Sequence, residues 1–110
     1  EAIAQVSAKN SKLRFEVVVI AQLPAAVSDD RSAVFHALSD ATIEVTGITP
    51  PWIAAGPANE GYLLIERGIP TVCGFGAHGA NAHAADEYVE VESLAETALI
   101  YALTAARLGS

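Results

Sequence analysis

Residues 68–91 read Gly-Ile-Pro-Thr-Val-Cys-Gly-Phe-Gly-Ala-His-Gly-Ala-Asn-Ala-His-Ala-Ala-Asp-Glu-Tyr-Val-Glu-Val. The apolar run from Thr71 to Phe75 predicts a strand. The glycines at 74, 76 and 79 predict a loop, and His78, His83, Asp86 and Glu87 load that loop with chemistry before a helix begins. In open α/β sheets, ligands bind beyond the carboxyl ends of strands, where loops converge and the next helix points its positive end at them. The expectation is a strand feeding a ligand-bearing loop.

Working outward, Gly56-Pro57-Ala58-Asn59-Glu60-Gly61 opens a helix carrying Leu63, Leu64 and Arg67, with Gly68 as its left-handed stop. On the other side, Ser93 with Glu96 three residues on makes a capping box. The helix it starts lines Leu94, Ala98, Tyr101, Ala105 and Leu108 along one face. Farther upstream, Leu13 to Leu23 predicts a strand with apolar side chains on both faces at its centre, stopped by Pro24. Val34, Phe35, Leu38 and Ala41 recur at helical spacing behind a cap at Ser28 or Asp29, and His36 falls mid-helix as a half-buried residue. Thr42 to Thr46 predicts a short β-branched strand, and Pro50-Pro51 breaks the pattern before Trp52. Residues 1–9 suit the tail of a helix that Lys9 favours electrostatically and Asn10 ends in a left-handed turn. From residue 13 the order is strand, helix, strand, helix, strand, loop, helix. That alternation predicts an α/β fold, a mainly parallel sheet with flanking helices and right-handed crossovers.

A chain of 110 residues is one domain or less. With 52% hydrophobic and 17% charged residues, most of its elements need cover on more than one side. A net charge of −7 repels phosphate backbones and anionic membranes, so nucleic acid and membrane are not the expected partners. Cys73 is the single cysteine, which rules out an intrachain disulfide, makes the cytoplasm the default location and predicts a small inert core residue. The chain begins at Glu1 and contains no methionine, so it is expected to be cut from something larger.

His83 is the best single metal-ligand candidate. It sits among small residues that would not bury an imidazole, and Asp86 or Glu87 is placed to orient its free ring nitrogen. The plainer alternative is a solvated loop histidine, since zinc needs three or four ligands. His78 lies five residues earlier, a spacing that matches no zinc pattern, and reads as an exposed loop residue. Asp86 and Glu87 are adjacent and point different ways, which disfavours a general acid/base pair. The glycines match neither a dinucleotide fingerprint nor a P-loop. The Gly56–Gly61 turn offers backbone N–H groups to a carboxylate.

Arg67-Gly68-Ile69-Pro70-Thr71-Val72, then Gly74-Phe75-Gly76, then Ala82-His83-Ala84-Ala85-Asp86-Glu87-Tyr88-Val89 resembles the co-catalytic zinc amidohydrolases. That group holds acetylornithine deacetylase, succinyl-diaminopimelate desuccinylase, aminoacylase and glutamate-type carboxypeptidases. The match is strongest over 56–108. It implies that His83 is the C-terminal ligand of a two-zinc site, with cobalt or manganese as substitutes. The other ligands would come from a His-x-Asp segment, a bridging aspartate and a Glu-Glu pair that supplies the general base, none of which this chain contains. It implies a substrate, an N-acyl amino acid or peptide, held near Gly56, Asn59 and Asn81. Gly56-Pro57-Ala58-Asn59 departs from the Gly-Gly-Thr-Asp usual there, and Asn59 would then replace the aspartate as a neutral hydrogen-bonding group.

The resemblance also implies a division of the chain. Residues 1–23 would be the last helix and strand of an inserted lid or dimerisation domain, 24–30 a hinge, and 31–110 the C-terminal part of a zinc-exopeptidase-like catalytic domain. The partners implied are the rest of that catalytic domain and, for the parent, a second copy in a homodimer. The chain alone would be inactive. The reading from a different class is a stand-alone α/β binding or interaction module that takes a small anion at the loop 76–83; a decayed, non-catalytic relative is the third.

Overall fold

The fold is described by a computed structural model over residues 2–54 and 59–109. Its elements in order are α1 (Ala2–Lys9), α2 (Ala33–Thr46), α3 (Gly61–Ile65), β1 (Gly79–Ala80), β2 (Tyr88–Val89) and α4 (Val91–Leu108). The packing centre is α2 against α4. Leu38, Ala41 and Ile100 are buried between them, and Val45, Val72, Phe75 and Leu103 close around that cluster. Ala41 is fully covered, and its small side chain permits close approach of the two helices.

Helix α2 runs through the stretch that predicts a strand. Thr42 and Thr46 turn their hydroxyls back onto the carbonyls of Leu38 and Thr42, at 2.7 and 2.8 Å, so both polar groups are satisfied inside the helix. Burial of Ala41 and Thr42 outweighs the β-preference of the threonines and valine, which is worth only a few tenths of a kcal/mol per residue. Gly47 ends the helix at φ 72°, its N–H donating to the carbonyl of Ile43 at 2.8 Å. His36 lies on the exposed face rather than half-buried. Neither Ser28 nor Asp29 caps α2, which starts after Ser32. Ser28 instead donates to the carbonyl of Thr71 at 2.6 Å and accepts the Thr71 N–H at 3.2 Å. Asp29 forms its own turn: the Arg31 backbone N–H and then its side chain hold the carboxyl below its ordinary range. That turn is tightest above the unfolded carboxyl pKa and loosens as pH falls through the lower folded value.

Residues 13–23 form no regular element and pair with no strand among the described residues. A strand is defined by its neighbours, and Val17, Val18, Val19 and Ile20 all lie at the surface, Ile20 at 93% exposure. Thr71 to Phe75 is likewise without a strand partner among the described residues, and it bends at Gly74, which is left-handed at φ 76°. The parallel sheet therefore does not form among the described residues. The one sheet there is the two-stranded antiparallel pair β1–β2, with Gly79 opposite Val89 and Ala80 opposite Tyr88. Cys73 is exposed rather than a core residue, its sulfur lying at the surface beside Gly61 of α3.

Three helix ends follow local chemistry. Lys9 occupies the last turn of α1, but Asn10 stops the helix without a left-handed backbone: its Oδ1 accepts the Lys12 N–H at 3.1 Å in an Asx turn. Gly68 is left-handed at φ 74°, as expected. The N–H groups of Gly68 and Ile69 return to the carbonyls of Ile65 and Leu64, the paired bonds of a Schellman stop. Helix α4 begins at Val91, two residues before the anticipated cap. Its covered stripe is Ser93, Thr97, Ile100, Thr104 and Arg107; of the neighbouring apolar stripe, Leu94 and Leu108 are exposed, while Tyr101, half-exposed, sets its ring against Phe75. Arg107 pairs with Glu44 of α2 at the far end of the helix contact.

The radius of gyration is 20.0 Å, against about 13 Å for a compact domain of this length. The accessible surface is 8719 Å², against roughly 5,800 Å² for a folded monomer of this mass.

Candidate functional site

The loaded loop is the closed end of a hairpin. His78 precedes β1 and Glu90 follows β2, and the Glu90 N–H donates to the His78 carbonyl at 2.8 Å below the paired residues. The base approaches so closely that Gly79 admits no side chain: a Cβ there would run into the carbonyl oxygen of Tyr88. Gly79→Ala is therefore expected to destabilise the chain by ~1–3 kcal/mol, the usual cost of overpacking. Amide exchange at Glu90 should lose its protection; unchanged protection would contradict the geometry.

Above this base, residues 81–87 form a tight apex. Asn81, His83 and Asp86 adopt left-handed backbone at φ 61°, 63° and 60°. Three such residues in six are uncommon, and Asn, Asp and His are the types that tolerate the region best. The apex bonds to itself, with the Ala84 N–H on the Asn81 carbonyl at 2.9 Å and Asn81 Nδ2 donating to the Asp86 carbonyl at 3.3 Å. Every residue from Gly79 to Glu90 is exposed. Local backbone strain of this kind gathers at functional sites, and here it holds His83 outward at a defined place.

The side chain of His83 takes part in no hydrogen bond or ion pair with the described residues, and neither Asp86 nor Glu87 orients it. His78 is the histidine with an acidic neighbour, its Nδ1 lying 3.8 Å from Glu90 Oε2 across the exposed hairpin base. No group of three metal-ligating side chains is present among the described residues. His83 thus fits a metal as a single donor, an accessible imidazole on a braced loop. It does not make a site by itself.

Of the substrate-side candidates, Asn81 shares the apex with His83. Asn59 is elsewhere, opening α3 by accepting the Gly61 N–H at 2.9 Å, and it lines a shallow groove of about 240 Å³ with Leu23, Glu60, Tyr62 and Leu63. Among the described residues no hydrogen bond joins it to the hairpin. Gly56 lies outside the described residues. A larger apolar groove, about 320 Å³, runs between α2, α4 and residues 69–75 and includes Leu38, Phe75 and Tyr101.

Two braces from α4 escape a sequence reading. Ser93 is buried in the first turn and accepts the His78 N–H at 2.9 Å, and Tyr101 donates to the Phe75 carbonyl at 2.6 Å. The Ser-x-x-Glu pattern locates the helix start to within three residues, but the partner of that serine is a backbone group 15 residues away. No helix among the described residues is long and apolar enough to cross a membrane.

Comparison with known proteins finds no match among curated proteins and none among solved structures. The sequence model of one family, however, matches residues 2–107, nearly the whole chain and the hairpin with it. The chain belongs to peptidase family M20/M25/M40.

Proposed function

We propose that the chain is the C-terminal part of a metal-dependent amide hydrolase that releases an amino acid from an N-acyl or peptidyl substrate, and that His83 is its one metal ligand. The observation that carries this reading is His83 itself, an imidazole without a partner among the described residues, presented on a strained apex above a closed hairpin base. Membership of the peptidase family supports the reaction class. Zinc, two ions per site, is the metal proposed, and the remaining ligands and the general base belong to parts of the parent outside this chain. A bound divalent ion supplies polarisation of the amide carbonyl and a water nucleophile at neutral pH. This chain's part is to hold one nitrogen donor in place, with Asn81, Asn59 and Gly56 as the residues proposed to meet the substrate.

The division into a lid segment (1–23), hinge (24–30) and catalytic part (31–110) belongs to the same proposal, as do a homodimeric parent and a cytoplasmic location. The unpaired apolar face of 13–23 and the surface excess of the chain support the division, since both need cover from elsewhere.

The test compares the 110-residue chain with the full-length protein on N-acetyl and N-succinyl amino acids and on dipeptides. Hydrolysis by the full-length protein that a chelator abolishes, with none from the chain alone, is the expected result. Turnover by the chain alone, or none by the full-length protein on the whole panel, overturns the proposal.

A further inference from the structure

We propose that Ser93 is a positioning residue for the His83 loop, acting through both arms of the hairpin; this rests on the reading of His83 as a metal ligand. Ser93 is 5% exposed, and its hydroxyl is used in both directions. It accepts the His78 N–H at 2.9 Å and donates to the Glu90 carbonyl at 2.7 Å. His78 and Glu90 are the residues flanking the β1–β2 pair, and they are also bonded to each other. One oxygen therefore joins the entering arm, the leaving arm and the first turn of α4. Among the described residues, the apex carrying His83 makes no hydrogen bond beyond itself, so its orientation is inherited from this base.

The helix beneath is itself anchored, because Ile100 seats α4 against Leu38 and Ala41 of α2. The path from the core to His83 thus passes through Ser93. A ligand nitrogen must be held within roughly 0.5 Å of its productive place, and a loop left to its own bonds does not ensure that. Groups that orient metal ligands typically cost 10- to 100-fold in metal affinity or activity when removed. Ser93 performs that service from behind the backbone instead of at the imidazole.

The test uses the full-length protein with Co²⁺ as the probe. Ser93→Ala should weaken Co²⁺ retention against a chelator by ~10- to 100-fold and alter the visible spectrum of the bound ion, while Ser93→Thr, which keeps the hydroxyl, should stay within about threefold of wild type. Wild-type levels of Co²⁺ retention and an unchanged spectrum in Ser93→Ala overturn the proposal. Should Ser93→Ala fail to fold, amide exchange at His78 in the wild-type protein decides the matter: protection equal to that of the α4 core supports the brace, and rapid exchange overturns it. His83→Ala separates the two assignments. Loss of Co²⁺ there but not in Ser93→Ala sinks the brace alone, whereas retention in both sinks the ligand assignment as well.

Discussion

His83→Ala in the full-length protein is expected to lower kcat for amide hydrolysis by more than about 100-fold, exceeding the 10- to 100-fold typical for loss of a group that merely orients a ligand. The expectation follows from what His83 does not do. It is exposed, its side chain has no hydrogen bond among the described residues, and its loop is closed by bonds that bypass the imidazole. Removing the ring leaves the hairpin's hydrogen bonds in place, and the stability loss should stay at the ~1 kcal/mol of an alanine on left-handed backbone. A large activity loss with only that small stability loss is the signature of a functional histidine. Full activity in the variant would return His83 to a solvated loop residue.

The largest stability effect should come from Ile100→Ala. Ile100 is 3% exposed and sits at the middle of the α2–α4 contact, against Leu38 and Ala41. Truncation removes buried methyl groups and leaves a cavity that two helices already packed through alanine cannot close, which costs ~2–5 kcal/mol. Ile100→Val should cost only ~0.5–1.5 kcal/mol. Both values can be read from urea midpoints at unchanged slope. Equal, small shifts for the two variants would mean that the helix pair is not the folding centre of this region.

Local turns are more legible in the sequence than the sheet. Gly68 takes the left-handed stop its position predicts, and the loop beyond Phe75 does turn, with Asn81, His83 and Asp86 left-handed between β1 and β2. The family resemblance through Gly68-Ile69-Pro70 and His83 to Val89 agrees with the family match over residues 2–107. Strand pairing is different, because it depends on neighbours distant in sequence. The stretches at 13–23 and 71–75 have strand-like composition, yet within this chain neither finds a partner among the described residues. Thr42 to Thr46 misleads for the opposite reason: its β-branched residues are drawn into α2 by the packing of Leu38 and Ala41 against α4, a force no five-residue window contains. The apolar face of α4 misleads in a third way. Leu94, Tyr101 and Leu108 form the more apolar stripe, but the stripe through Ser93, Ile100 and Thr104 is covered, since both hydroxyls are satisfied by nearby backbone carbonyls.

Whether His83 ligates a metal is decided by the number of divalent ions retained per subunit of the full-length protein, measured by elemental analysis after gel filtration, with and without His83→Ala. Two ions are expected in the wild type and a loss of at least one in the variant, with the fold unchanged by circular dichroism. Equal metal content in the two folded proteins would contradict the assignment.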